Sequence, residues 1–105
     1  MANAVALVRN QIDRSQLSAV RSISFFNEVV DFLIAAPGTE LAIVDLTVPG
    51  ALEALADLKD VSVGRIVAYG PHVDRALLAS ARAGGADEVW PRSQFLGKRL
   101  REKLT

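Results

Sequence analysis

Short apolar runs that alternate with helix-like segments along the whole chain are the feature that most limits its possible folds. These runs have the length and composition of strands and lie at Ala4 to Val8, Ile23 to Phe26, Leu41 to Leu46, Arg65 to Tyr69 and Glu88 to Trp90. Three of them, with the sequences AVALV, LAIV and RIVAY, are almost continuously apolar. Strands covered on both faces of a parallel sheet have this pattern. We therefore expect a buried parallel sheet.

The segments between the runs carry apolar residues at helical spacing. The predicted helices are Ile12 to Arg21, a helix capped by Asn27 and ended by Pro37, Gly50 to Leu58, Val73 to Ala83, and a last helix capped by Ser93 that carries Leu96, Leu100 and Leu104. Gly84 and Gly85 suit a left-handed C-terminal cap. Right-handed crossovers then favour a flavodoxin-like α/β fold: a doubly wound five-stranded parallel sheet of order 2-1-3-4-5 with helices on both faces.

Composition narrows the class of protein further. The 105 residues fit one domain, 1–105, and the twelve basic residues balance twelve acidic ones. Without net positive charge or a long apolar run, we expect no nucleic-acid partner and no membrane partner. The first residues do not form a signal peptide, and the absence of Cys is typical of a reducing compartment, so we expect a cytoplasmic protein.

Three motifs carry a resemblance to a known family. LAIVDLTVPG (Leu41 to Gly50), RIVAYGPHVD (Arg65 to Asp74) and RAGGADEVWPR (Arg82 to Arg92) occur in this order. Together they resemble the receiver domains of response regulators in two-component signalling, whereas the first forty residues match only as a β-α-β-α pattern. The resemblance implies four parts: an acidic pair that helps to hold Mg²⁺, a phosphoacceptor Asp, a Thr or Ser, and a Lys.

Only one of these parts is clearly kept. The resemblance places Asp45 at the phosphoacceptor position, Arg9 and Asn10 at the acidic pair, Gly70 at the Thr or Ser, and Arg92 at the Lys. Two unit charges about 4 Å apart interact by roughly 4 kcal/mol at an effective dielectric of 20, so a guanidinium in place of a carboxylate repels a metal ion. We therefore expect no metal site, no cofactor and no switching by phosphorylation. With a single His and no Cys, the chain has no nucleophile–base pair, so we also expect no enzymatic activity. Arg9, Asp45 and Arg92 are instead predicted to form an internal charge cluster.

Asp13 is another carboxylate that could serve as a metal ligand, but it lies three residues late for the acidic pair. His72, the only histidine, lies in a predicted loop at the sheet rim. It is either a general base or pH-sensitive contact, or an exposed loop residue beside Asp74, which would cap the next helix. Arg92 and Ser93 at a helix N-terminus are candidate anion contacts.

The face formed by the fourth helix, fifth strand and fifth helix is where receivers usually pass on their signal. Trp90, Phe95 and Arg99 are the candidate interface residues there, because aromatic and Arg side chains dominate interface energies. Trp90 is alternatively packed under the last helix. The sequence thus indicates an atypical receiver-like domain that binds a protein partner or forms a homodimer. Two alternatives stay open: a small-ligand or nucleotide sensor using Asn10, His72 and Arg92, and a conventional receiver phosphorylated at Asp45.

Overall fold

A computed structural model describes residues 3–97 and 99–104. Its strands form one sheet of five parallel strands in the order β2-β1-β3-β4-β5. The strands are β1 (Ala4–Leu7), β2 (Ser24–Phe26), β3 (Leu41–Asp45), β4 (Arg65–Gly70) and β5 (Glu88–Pro91). The predicted flavodoxin-like α/β topology is confirmed, and both ends of each predicted strand lie within one residue of the ends in the structure.

Six helices connect or follow the strands in the described part of the chain. They are α1 (Gln11–Ser18), α2 (Val29–Ala35), α3 (Ala51–Lys59), α4 (Arg75–Ala83), α5 (Arg92–Phe95) and α6 (Leu100–Leu104). No helix among residues 3–97 and 99–104 is long and apolar enough to cross a membrane.

Two apolar layers enclose the sheet. One layer buries Phe32, Leu55 and Leu78 from α2, α3 and α4 against one face. The other layer buries side chains of α1, α5 and α6 against the opposite face, among them Leu17 and Phe95. Successive strand residues point to opposite faces, and the full burial of β1 and β3 explains why their sequences are apolar without alternation.

The helix caps agree with the sequence at some positions and differ at others. Asp74 caps α4, because its side chain accepts a hydrogen bond from the Leu77 amide, and Gly85 after this helix has a φ of +113°. The predicted cap at Asn27 is wrong, since Glu28 precedes α2 and the Asn27 Oδ1 atom accepts a hydrogen bond from Arg14. Ser93 lies inside α5 and does not cap it.

The last predicted helix is divided into α5 and α6. Helix α5 ends at Phe95, and α6 begins at Leu100. This break allows Phe95 to reach the core under β4 and β5 while Leu100 and Leu104 fill the same layer further along. Glycine at position 97 favours the break, since glycine is a poor helix former.

Candidate functional site

A cleft opens beyond the carboxyl ends of the strands, where the doubly wound fold places ligands. Its volume is about 430 Å³. Charged and polar side chains from β3, α1, α5 and the loops after β1 and β3 line it, together with two apolar loop residues. The lining residues are Arg9, Asn10, Asp13, Asp45, Thr47, Val48, Pro49 and Arg92. The sequence therefore predicted the location of the cleft and four of its polar residues: Arg9, Asn10, Asp45 and Arg92.

Asn10 has a structural role at the entrance of the cleft. Its side-chain oxygen accepts hydrogen bonds from the backbone amides of Ile12, at 2.9 Å, and Asp13, at 3.1 Å. Asn10 is thus the N-cap of α1, a position at which asparagine satisfies amides that have no partner within the helix. This cap fixes the first helical turn and so positions Asp13.

Asp13 is the centre of the polar network. Its side chain is buried, with 1% of its surface exposed, and forms an ion pair with Arg92. The Tyr69 hydroxyl donates a hydrogen bond of 2.9 Å to the Oδ2 atom of Asp13, and the Nε of Arg92 lies 3.3 Å from the same oxygen. Both carboxylate oxygens of Asp13 are therefore engaged by protein donors.

Tyr69 and Arg92 are held in their protonated forms. Burial raises the pKa of the Tyr69 hydroxyl, and the nearby carboxylates of Asp45 and Asp13 raise it further. The hydrogen bond to Asp13 raises the pKa of Arg92. Phe95 stacks on the Tyr69 ring with 4.8 Å between the ring centroids, which fixes the ring. Tyr69 consequently acts as a neutral donor and Arg92 as a permanent cation.

Asp45 lies at the end of β3 and is 6% exposed. Its Oδ1 atom accepts two hydrogen bonds from Thr47, one from the hydroxyl at 2.8 Å and one from the backbone amide at 3.0 Å. These bonds hold the carboxylate against the loop that leads into α3. The hydrogen bonds of the Asp45 side chain within the described residues thus come from Thr47, two positions away. Asp45 forms no ion pair there with Arg9 or Arg92.

Arg9 lines the cleft, but its hydrogen bonds point away from Asp45. Its Nε donates to the backbone carbonyl of Asn27 at 2.8 Å, and its Nη2 lies 3.4 Å from the Oε1 of Glu28. The predicted cluster of Arg9, Asp45 and Arg92 is thus corrected: the three residues share a cleft, while the paired charges are Arg92 with Asp13 and Arg9 with Glu28. Sequence spacing could not show this, because Glu28 and Asp13 reach these arginines only in the folded chain.

Four other predicted site residues lie outside the cleft lining. Gly70 ends β4 and is buried near Leu46, and Ser93 is exposed on α5. His72 is an exposed loop residue. Asp74 caps α4, and its side chain accepts a hydrogen bond from the Leu77 amide. Of the residues proposed for anion or ligand contacts, the structure brings Arg92 and Asn10 into the cleft.

The candidate interface residues have different environments. Phe95 is fully buried, so the prediction that it contributes to an interface is wrong. Trp90 is partly buried against the core layer beneath α6, its indole donates to Glu88 at 3.2 Å, and the Lys103 ammonium lies 5.1 Å from its ring centroid. Arg99 is exposed over 81% of its side chain. Of these three candidates, Arg99 and the open part of Trp90 are therefore accessible to a partner.

The residues present do not fit the Mg²⁺ centre that the receiver resemblance implies. Both oxygens of Asp13 are occupied by Arg92 and Tyr69, and Oδ1 of Asp45 is occupied by Thr47. Among residues 3–97 and 99–104, no three His, Cys, Asp or Glu side chains come together in an arrangement that could hold a metal ion. Mg²⁺ prefers octahedral oxygen coordination, and three of the four carboxylate oxygens of Asp13 and Asp45 already accept hydrogen bonds from the protein.

Tyr69 and Thr47 are the site residues that sequence reasoning missed. Tyr69 is the only hydroxyl-bearing side chain in the apolar strand RIVAYG, and a buried tyrosine hydroxyl usually needs a partner. Its partner, Asp13, is 56 positions away in sequence. Neither family models nor curated proteins provide a match to the chain. The receiver resemblance therefore rests on the three motifs and on the fold.

Proposed function

We propose that the chain is an atypical receiver-like signalling domain that acts by binding another protein, and that phosphorylation of Asp45 does not switch it. The flavodoxin-like topology and the three motifs support the receiver assignment. The observation that carries the proposal is the ion pair between Arg92 and the buried Asp13, which the Tyr69 hydroxyl completes.

The ion pair matters because of the part that Arg92 would otherwise play. In receivers, a lysine at this position pairs with the phosphoryl group on the strand-three aspartate. Here the corresponding cation is already neutralised by Asp13, and Gly70 supplies no hydroxyl at the end of β4. A phosphoryl group on Asp45 would add negative charge beside Asp13 and would have to take Arg92 from it. Both effects oppose phosphoryl transfer and favour one fixed conformation of the cleft.

A domain with a fixed cleft can still act through its surface. The side formed by α4, β5 and α5 offers the partly exposed Trp90, and Arg99 lies on the chain just beyond α5. Aromatic and arginine side chains are enriched among residues that dominate interface energies. We therefore assign this side to the partner protein, with Trp90 as the anchor.

The proposal is tested by incubating the protein with acetyl phosphate and Mg²⁺ and measuring its intact mass. Asp45→Asn is the matched control, since it keeps the shape of the side chain and removes the acceptor. We expect the wild-type protein and this variant each to keep its own unmodified mass. A gain of one phosphoryl group in the wild-type protein that is absent from the variant would contradict the proposal.

A second candidate function is supported by the open cleft. Its volume of about 430 Å³ and its two arginines, Arg9 and Arg92, whose side chains are 44% and 46% exposed, are compatible with a small anionic ligand. Thermal-shift screening against nucleotides and phosphorylated metabolites tests this alternative, because a ligand that binds the folded state raises the melting temperature. Arg92→Gln should abolish such a shift if the cleft is the binding site.

A further inference from the structure

An apolar groove runs between α2 and α3, on the other side of the loop that borders the cleft. Its volume is about 420 Å³, and its apolar lining comes from Val29, Val30, Pro49, Gly50 and Ala54. Next to it α2 exposes two large apolar side chains, Val30 at 67% and Ile34 at 74%. These two residues lie four positions apart, so they share one face of the helix.

Carboxylates border this groove. Glu53 and Asp57 of α3 line it, and Asp31 of α2 is exposed nearby. None of these three side chains forms an ion pair within the described residues. An apolar groove bordered by unpaired carboxylates fits a partner surface that carries basic side chains. Small residues between those basic side chains would let the partner backbone come close to the groove.

Helix α4 of the same protein presents such a surface. Arg75 and Arg82 are exposed on it, and neither guanidinium forms an ion pair or hydrogen bond within residues 3–97 and 99–104. They lie seven positions apart, or about 10 Å along one helix face. The exposed residues between them are small, Ala76, Ala79 and Ser80, so another backbone can come close.

The other basic segment is a poorer match to the groove. Near and within α6, Arg99 lies 3.9 Å from Glu102, and the Lys103 ammonium donates to the Gln94 carbonyl and lies over Trp90. Acidic and basic residues are also separated along the sequence, as they are between the groove and α4. Residues 28–60 contain seven acidic residues and one basic residue, whereas residues 61–105 contain eight basic and four acidic ones. A neutral chain thus carries two surfaces of opposite charge.

We propose that a second copy of this chain binds the α2–α3 groove through its α4 surface. The contact is heterologous, because the two copies contribute different surfaces, and it leaves the groove of one copy and the α4 surface of the other free to extend the assembly. Glu53 and Asp57 of one copy face Arg75 and Arg82 of the next, and Val30 and Ile34 supply the apolar part. This assembly goes beyond the proposed function and does not depend on the state of Asp45.

Sedimentation velocity of the wild-type protein and three double variants tests the assembly. Glu53→Gln with Asp57→Asn neutralises the groove, and Arg75→Gln with Arg82→Gln neutralises α4. Arg99→Gln with Arg101→Gln is the matched control, since it removes the same number of exposed charges from another part of the molecule. Circular dichroism verifies that each variant is folded, and Val30→Gln provides a second groove variant that changes no charge.

The wild-type protein is expected to sediment as species larger than 11.3 kDa at low salt and to dissociate in about 0.5 M salt, where the Debye length is only a few ångströms. Each neutralised surface should weaken self-association by roughly tenfold, because exposed pairs contribute modestly. An equimolar mixture of the groove variant and the α4 variant retains one intact contact and should form dimers that extend no further. A monomeric wild-type protein at about 1 mM and low salt would overturn the proposal, as would equal weakening by the control variant or a mixture that stays monomeric.

Discussion

Replacing Asp13 with alanine removes the acceptor that Tyr69 and Arg92 share. Tyr69 is fully buried, so its hydroxyl would lose its partner in a place that water does not reach. Leaving a buried donor unsatisfied costs about 1–3 kcal/mol. Loss of the ion pair with Arg92 costs less than loss of the hydrogen bond. The Arg92 side chain is 46% exposed, so water can hydrate it after the change, and this loss is limited to about 1 kcal/mol. We expect Asp13→Ala to lower the free energy of unfolding by about 3 kcal/mol.

Tyr69→Phe provides the comparison that isolates the hydrogen bond. It removes the hydroxyl and leaves Asp13 paired with Arg92, so its expected cost is about 1.5 kcal/mol. In the double variant no hydroxyl is left unsatisfied. Its cost should therefore be smaller than the sum of the two single costs, by about 1.5 kcal/mol.

Urea unfolding followed by circular dichroism measures the three variants against the wild-type protein. For a domain of 105 residues, a loss of about 3 kcal/mol corresponds to a decrease in Tm of about 12 °C or more, so thermal unfolding provides a second readout. Single costs that add to within about 0.3 kcal/mol would refute the reasoning, because the two residues would then not interact.

Two further predictions concern a turn and an ion pair. Gly50→Ala should cost about 1–2 kcal/mol, because Gly50 has a φ of +83° and its added Cβ would lie 3.2 Å from Val29. Gly38→Ala is the control, with a φ of +84° and open space around the Cβ, and an equal or larger cost in urea unfolding would contradict the role of crowding. The hydrogen bond from Arg65 lowers the pKa of Glu88 from its usual 4.5, so this carboxylate stabilises the fold above about pH 4.5 and loses that contribution as pH falls through the lowered pKa. The stability difference between wild type and Glu88→Gln should therefore shrink as the pH falls below about 4.5 in urea titrations, and a constant difference would exclude this linkage.

The sheet could be predicted from the sequence because its signals are local. The runs around AVALV and LAIV correspond to β1 and β3, which are buried on both faces and so tolerate no polar alternation. Right-handed crossovers then left one favoured strand order, which the structure confirms. The sequence did not predict the division between α5 and α6, because Leu96, Leu100 and Leu104 have helical spacing. The burial of Phe95 in the layer under the sheet depends on tertiary packing, which this spacing does not show.

The candidate site was predictable in place but not in pairing. The carboxyl ends of the strands brought Arg9, Asp45 and Arg92 to one cleft, as the topology requires. The ion pairs depend on which charged side chains the folded chain brings within contact distance. Asp13 meets Arg92 across 79 positions of sequence, and no local pattern encodes that contact. The role of Tyr69 was hidden for the same reason, since its ring reads as one more apolar residue of a strand.

We infer that the carboxylates of the cleft serve protein contacts and do not form a metal site. NMR of the side-chain carboxyl carbons of Asp13 and Asp45 during addition of Mg²⁺ tests this claim most directly. We expect neither resonance to show a saturable shift up to about 10 mM Mg²⁺, with Asp13→Asn assigning its signal. A saturable shift of both resonances with a Kd below about 1 mM would contradict the account, because the two aspartates would then bind the ion together.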